Sequence, residues 1–323
     1  ANDLNSLKFS GLGTSISTTF LSSYFGLTRS LSDKTLIPFL STTEVRQSRG
    51  LQVRDLQLDI SPPEVLEFAL DLNTATLLVY FDEAVQVDTL DPTAITLLAS
   101  VLGKAVPLTG FESVSVVNMT IANITMVEED FNNVKFAHFI SNLALDNLLL
   151  AANGVRDYQN NYYLGNAEDD PRLLRFLTPD TTPPTIESFT LDLQNDVFTV
   201  VFSESILVSS VKPGFIFASE TNDPSAGNIT LSNVVITEIT VNSLSIDLGL
   251  FRTDAEVLKS TPIGTDLSKT FLTISGVEDL FGNVQPLVTA QATTLVQDQG
   301  VPTLLSFEMD ASADPVAVTV RFS

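Results

Sequence analysis

The chain of 323 residues contains no cysteine, no tryptophan and one histidine. Without cysteine there are no disulfides, no thiol chemistry and no Cys-based metal sites, and the single histidine argues against His-based triads. With 15 glycines and 15 prolines, the chain is too poor in both for a disordered or collagen-like protein. No apolar run reaches the roughly 18 residues that a bilayer span requires. These absences disfavour an enzyme and a membrane-inserted protein.

Basic residues are also scarce. Lys and Arg number 16 against 39 Asp and Glu, which gives a formal charge of −23. Such an excess repels polyanions, so neither nucleic acid nor an anionic membrane surface is an expected partner. Apolar residues make up 44% of the chain, enough for a sizeable core, and the length suits about two domains.

An internal repeat organises the chain. In each copy an Asp precedes a Pro by four residues, the Pro precedes a Phe by five, and the Phe precedes a second Asp by three. The period is 121 and then 118 residues. The copies run over Asp59–Glu83, Asp180–Glu204 and Asp298–Ser323, and the third stops where the other two have Glu.

The repeat has the pattern of paired β-strands. Proline suits a strand edge or a linker, and residues 197–202 alternate in the manner of a half-buried strand after a turn at Asn195–Asp196. Residues 143–152 fit a short helix or a buried strand equally well, and no long stretch has a helical period. We therefore predict an all-β fold of sandwiches with about 120 residues each. The repeated phenylalanines are expected to point inward: Phe68, Phe81, Phe189, Phe202, Phe307 and Phe322.

A second motif closes each complete repeat. It reads Gly-Val-Glu-Asp-Leu-Phe-Gly-Asn at 276–283, and its counterpart at 154–161 has Asn160 in place of Gly282. Together with the strand that ends in Phe202-Ser-Glu204, this motif resembles the tandem bacterial-type Ig-like repeats of S-layer and surface-adhesin proteins. The resemblance implies extracellular spacer or adhesive modules without an active site. In organisation, the chain is also similar to subunits of glycosylated extracellular fibrils, including flagellar-hair types.

The two ends of the chain have the pattern of incomplete repeats. Residues 51–56 lie where the last strand of a repeat belongs, and residues 31–37 resemble residues 266–272. A lone hairpin at the other end is marginal in water. The predicted domains are the back half of an Ig-like unit at 1–60, complete Ig-like units at 61–182 and 183–300, and a front hairpin at 301–323.

Two explanations of these ends stay open. In one, each chain completes the next, so that copies join head to tail into a fibre or surface array by strand addition. In the other, the chain is a piece of a longer covalent array. The first makes the protein an extracellular structural subunit whose partner is itself. The alternative function is a stalk segment of a cell-surface adhesin.

Three Asn-x-Thr sequons begin at Asn118, Asn123 and Asn228. In a secreted eukaryotic protein they would carry N-linked glycans, although so short a motif also arises by chance.

The repeated Asp59, Asp180 and Asp298 admit two interpretations, calcium ligands or caps of a turn before proline. The absence of an Asp-x-Asp-x-Asp-Gly loop favours the turn. The acidic runs 128–130 and 168–170 are interpreted as solvated loops, with calcium as the alternative. His138 has no partner constellation and is interpreted as structural. No catalytic residue or cofactor is predicted.

Overall fold

The computed structural model describes residues 2–10, 12–21, 51–99, 103–137, 146–166, 169–212, 216–223, 225, 229–231, 234–240, 242–312 and 315–322. The chain divides into two compact units, Ala1–Thr181 (unit 1) and Thr182–Ser323 (unit 2). Strands are the main secondary structure of both units, and the predicted all-β Ig-like fold is confirmed. The finer division into four segments stays a prediction.

Unit 1 contains one large sheet with the strand order β6-β5-β9-β10-β3-β4-β8-β7, and β1 and β2 form a separate pair. Strand β10 joins two halves of the large sheet. It pairs antiparallel with β9 at Arg172 and Leu173 and parallel with β3 from Leu174 onward, with an irregularity between Leu174 and Phe176. The elements are α1 (Asn2–Phe9), β1 (Phe20–Leu21), β2 (Leu51–Gln52), β3 (Val65–Asp71), β4 (Thr76–Phe81), β5 (Ile95–Ala99), β6 (Lys104–Pro107), β7 (Phe111–Asn118), β8 (Ile121–Met126), α2 (Glu128–Phe136), β9 (Asn147–Leu150) and β10 (Arg172–Thr178).

Unit 2 repeats this arrangement with two separate sheets, β15-β16-β12-β11-β19 and β14-β13-β17-β18. Strands β18 and β19 together occupy the place that β10 takes in unit 1. A third sheet is the two-stranded hairpin β20-β21. The elements are β11 (Ile186–Asp192), β12 (Val197–Phe202), β13 (Ile216–Ser219), β14 (Ile229–Thr230), β15 (Val234–Ile239), β16 (Ser245–Leu250), α3 (Arg252–Lys259), β17 (Phe271–Ile274), β18 (Val288–Gln291), β19 (Thr294–Val296), β20 (Leu304–Asp310) and β21 (Ala317–Phe322).

The core of unit 2 lies between its two larger sheets. Phe189 and Phe198 come from one sheet and Ile216 and Leu272 from the other, and all four belong to a single buried cluster. The strands alternate buried and half-buried residues, as in β12, because successive side chains point to opposite faces. Each such side chain contributes about 1.5–3 kcal/mol through its removal from water. The predicted inward direction is therefore confirmed for Phe68, Phe81, Phe189 and Phe202. It is wrong for Phe307, which is 66% exposed because no described element packs against that face of its hairpin.

The three copies of the hairpin share one register. Phe68 lies opposite Val79, Phe189 opposite Val200 and Phe307 opposite Val320, and each hairpin has its irregularity at the same place. The predicted turn at Asn195–Asp196 is present, with Asp196 in the left-handed region at φ 54°. The sequence repeat is thus a repeat of backbone geometry.

Asparagine replaces glycine in one turn without changing its conformation. Asn160 has a φ of 68° and Gly282 one of 87°. Asparagine is one of the few residues that tolerate the left-handed region, so the closing motif of unit 1 keeps its shape.

One expectation needs correction, and one open alternative is decided. The acidic run 128–130 is not a solvated loop, because it forms the first turn of α2 and Asp130 is fully buried. The Asp130 carboxylate accepts backbone N–H bonds from Thr109 at 2.6 Å and Gly110 at 3.2 Å. Of the two options for residues 143–152, the described part is a strand, β9. None of the described helices has both the length and the apolar character of a membrane span.

The fold predicts a large effect of substitution at Phe189 and a small one at Phe307, although the two residues occupy equivalent positions in two copies of the hairpin. We expect Phe189→Ala to lower the free energy of unfolding by about 3–5 kcal/mol, because it opens a cavity in the core. We expect Phe307→Ala to change it by less than about 0.5 kcal/mol in dilute solution, because that side chain is 66% exposed. Urea denaturation followed by circular dichroism measures both. Equal losses would contradict the assignment.

Candidate functional site

Three carboxylates meet in unit 1 where the chain enters the first hairpin. The oxygens of Asp59, Glu83 and Asp157 lie within 4.8 Å of one another. Glu83 and Asp157 are buried, and Asp59 is half-buried. We call these three residues the carboxylate cluster. The sequence pattern includes all three as marks of the repeat, but only folding brings them together.

Local turns position the three side chains. Asp59 caps the turn that leads into β3, with Oδ1 accepting the N–H of Ser61 at 3.0 Å. Glu83 lies two residues after the end of β4. Asp157 closes its own loop by accepting the N–H of Asn161 at 2.7 Å and that residue's Nδ2 at 2.8 Å. The same Nδ2 donates to the backbone oxygen of Asp59 at 3.1 Å, which ties two of the carboxylate segments together.

The cation of the cluster is a lysine from α1. Lys8 Nζ lies 2.5 Å from Asp59 Oδ2 and also donates to Glu83 Oε2. Next to it, the Phe9 ring packs edge-on against Tyr158, with 5.2 Å between the ring centroids. The end of α1 is therefore held by the loop that carries Asp157.

The pKa values reflect this crowding of charge. Burial acts to lower the pKa of Lys8, but hydrogen bonds to Asp59 and Glu83 outweigh it and raise the pKa above its ordinary 10.5. Burial acts to raise the pKa of Asp59, but bonds from Lys8 and Ser61 leave it below 3.8. Burial dominates at Glu83 and raises its pKa despite Lys8. Because one ammonium serves three carboxylates, the negative charge of Glu83 is the least well compensated of the three.

The lysine contact recurs in each copy of the repeat. Lys135 in the last turn of α2 lies 2.7 Å from Asp180, and Lys259 in the last turn of α3 lies 3.0 Å from Asp298. Each pair joins the helix of a unit to the linker aspartate that follows it. We call these three contacts the lysine clamps. Asp298 also accepts the N–H of Gly300 at 2.7 Å, as Asp59 does from Ser61.

The sequence contains a signal for the clamps that the interpretation above missed. Each lysine follows an aspartate by five residues, at Asp3, Asp130 and Asp254, and precedes a linker aspartate by 51, 45 and 39 residues. A search for Asp-x-x-x-x-Lys before each linker finds all three helices.

The predicted calcium candidates are thus turn caps and clamp partners. Asp59 and Asp298 cap turns, as one of the two interpretations states, and Asp180 is paired with Lys135. The chemistry of the carboxylate cluster also suits a hard divalent cation, which prefers several carboxylate oxygens. Lys8 already contacts two of the three carboxylates, so a metal would compete with its ammonium. Calcium binding stays a prediction.

The remaining candidates lie in separate places. Asn118 is exposed at the end of β7, and Asn123 is half-buried within β8. Asn228, His138 and Glu168 fall outside the described residues. Asp170 pairs with Arg172 at 3.0 Å.

A second candidate surface is the hairpin β20-β21. Met309 and Val318 are 63% and 58% exposed. Their equivalents in the first two hairpins, Leu70 and Leu77 in β3-β4 and Leu191 and Phe198 in β11-β12, are core residues. On the N-terminal side, Leu7 is 50% exposed and lines an apolar groove with Leu12, Phe20, Leu21 and Leu51. Its equivalent, Leu258, is buried in the core of unit 2 among Phe189, Leu191 and Phe198.

Comparison with known proteins identifies no family for the chain. No protein-family model and no curated protein matches the chain. It is similar to the N-terminal part of the bacterial S-layer protein SbsC at 10% identity, over 71% of this chain and 44% of that one, with a TM-score of 0.25. It is similar to the four N-terminal Ig domains of Dscam1 isoform 4.44 at 10% identity, over 94% and 76%, with a TM-score of 0.18. The chain spans less than half the length of the S-layer structures.

Replacing the clamp lysine tests the cluster. We expect Lys8→Met to lower the unfolding free energy of unit 1 by about 3–5 kcal/mol, because it leaves buried carboxylates unpaired. Adding Glu83→Gln should restore part of this loss, and Lys269→Met, at an exposed lysine, should have little effect. Millimolar calcium should stabilise Lys8→Met more than the unaltered chain in thermal unfolding. A Lys8→Met chain as stable as the unaltered one would contradict the clamp.

The clamp also predicts a dependence on alkaline pH. A raised lysine pKa stabilises the fold fully below its ordinary 10.5, and this contribution is lost as pH rises through the raised value. The unaltered chain should therefore lose more stability than Lys8→Met as pH rises from below the ordinary 10.5 to above it. Denaturation curves over this range measure the difference, and parallel losses in the two chains would refute it.

Proposed function

We propose that the chain is an extracellular structural protein whose copies join head to tail. In this assembly the hairpin β20-β21 of one copy packs against the apolar groove that residues 7–21 and 51–54 of the next copy line. The exposed apolar face of β20-β21 carries the proposal. The equivalent faces of the hairpins β3-β4 and β11-β12 are buried by elements that come later in the same unit.

The complete units provide the template for the contact. In unit 2 the hairpin strands β11 and β12 contribute Phe189 and Phe198 to a cluster that also contains Leu258 of α3. Leu258 precedes the clamp Lys259, as Leu7 precedes Lys8 in α1. By this equivalence, Leu7 of one copy packs among Phe307, Met309 and Val318 of another.

Backbone pairing supports the same geometry. The first hairpin strand pairs parallel with β10 in unit 1 and with β19 in unit 2, and each of these strands ends shortly before the linker aspartate. For β20 the described residues hold no such neighbour. The segment that ends before Asp59 has the matching position in the repeat. Strand addition of this kind gives affinity through backbone hydrogen bonds and register through alternate side chains.

A specific feature favours the second function, a stalk segment within a longer array. In unit 1 the strands β5 to β8 lie between the hairpin and α2. The described residues before Asp59 include the equivalent of α2 in α1, but they include no equivalent of these four strands, and the described partner of β21 is β20 alone. Covalently attached residues after the hairpin would supply them.

Complementary variants distinguish the two functions. We expect Phe307→Asp and Leu7→Asp each to abolish filaments of the purified chain, because a charge would enter an apolar contact. A mixture of the two should stop at dimers, because each variant keeps one intact end. Leu164→Asp, at a residue that is 74% exposed, is the control and should still form filaments.

Light scattering and electron microscopy measure these outcomes. Monomers of the unaltered chain at every concentration, together with native material that releases polypeptides longer than 34.9 kDa on denaturation, would overturn head-to-tail assembly in favour of the stalk.

A further inference from the structure

The hairpin between β7 and β8 presents a sequon in an ordered turn. Met119 and Thr120 connect the two strands, and Asn118, the last residue of β7, lies opposite Ile121 in the ladder. The turn is anchored from both sides, because Val85 N–H donates to the oxygen of Met119 at 3.2 Å and Phe81 N–H to that of Thr120 at 2.8 Å. The acceptor side chain therefore has a fixed place on the surface of unit 1.

The threonine of the sequon orients the asparagine. Asn118 Oδ1 accepts from both the N–H and the hydroxyl of Thr120, each at 2.9 Å. Both bonds engage the amide oxygen and neither engages Nδ2, the atom that carries an N-linked oligosaccharide. The residue is exposed, so the folded turn has room for a bulky substituent.

The neighbouring sequon is placed differently. Asn123 lies within β8, between Leu78 of β4 and Ser115 of β7. It is half-buried, and its Oδ1 is enclosed. Ala122 and Ile124 on either side are fully buried and point to the opposite face of the sheet. Asn123 therefore lies on the outer face in the middle of three paired strands, where a glycan would have to cross neighbouring side chains instead of leaving from a turn.

We propose that Asn118 is a site of N-glycosylation and that Asn123 is not. In the reaction, Asn118 Nδ2 attacks the anomeric carbon of a polyprenyl-diphosphate-linked oligosaccharide. The new C–N bond replaces the anomeric C–O bond, the polyprenyl diphosphate leaves, and the transferase takes up the Nδ2 proton. This inference takes from the proposed function only that the chain is exported.

The glycan would have a structural effect at the sheet edge. Strand β7 is the last strand of its sheet, and Val117 on it is 60% exposed. An uncovered edge of this kind invites pairing with another chain. A bulky hydrophilic group at the end of β7 would prevent lateral pairing and leave end-to-end contacts available.

The test uses the full chain secreted from eukaryotic cells. Enzymatic deglycosylation in ¹⁸O water followed by fragmentation mass spectrometry marks each formerly glycosylated asparagine. We expect the label at Asn118 and none at Asn123, loss of that label in Thr120→Ala, and no loss in Thr125→Ala. An unlabelled Asn118, or a label at Asn123 alone, would overturn the inference. If the secreted chain forms filaments although its Asn118 carries no glycan, the glycosylation inference is refuted and the proposed function stands.

Discussion

The fold depends on covering the apolar face of a two-stranded hairpin. Each copy of the repeat begins with such a hairpin, and two strands alone cannot bury their own phenylalanines. In unit 2 the cover comes from residues much later in the chain, namely the second sheet, the short helix and the final parallel strand. In unit 1 the equivalent hairpin residues Phe68 and Leu77 are likewise buried. The contacts that stabilise a unit are therefore long-range. The third copy has the same strands and register, but its apolar face is exposed.

The lysine clamps connect this cover to the linkers. The helix that precedes each linker carries a lysine in its last turn, and the ammonium contacts the linker aspartate. At Asp59 and Asp298 the same aspartate caps the turn into the following hairpin. In a chain with 16 basic residues against 39 acidic ones, three lysines in equivalent buried or half-buried positions are a notable concentration of positive charge. The carboxylate cluster of unit 1 has one such cation for three acids, which explains the opposite pKa shifts of Asp59 and Glu83.

Much of the fold was predictable because the repeat is strict. Spacing of Asp, Pro and Phe predicts three hairpins in one register, and alternation predicts which face of each is apolar. The short helices were not predictable from periodicity. Residues 128–136 and 252–259 are too short to develop a helical pattern, and Asp130 is held by a loop far from it in sequence. The clamp lysines were visible as a repeated spacing, but the spacing alone does not identify their partners.

The sequence by itself determined the all-β class, the period of the repeat and the residues that mark each turn, because these depend on local alternation and on backbone preferences of single residues. Only the tertiary structure decided which acids share a site, which lysine neutralises them, and which of the equivalent phenylalanines are buried. Asp59 and Asp157 are 98 residues apart in sequence, yet Asn161 bonds both. Phe189 and Phe307 have the same local pattern, and their burial differs because only one of them has a second sheet to pack against.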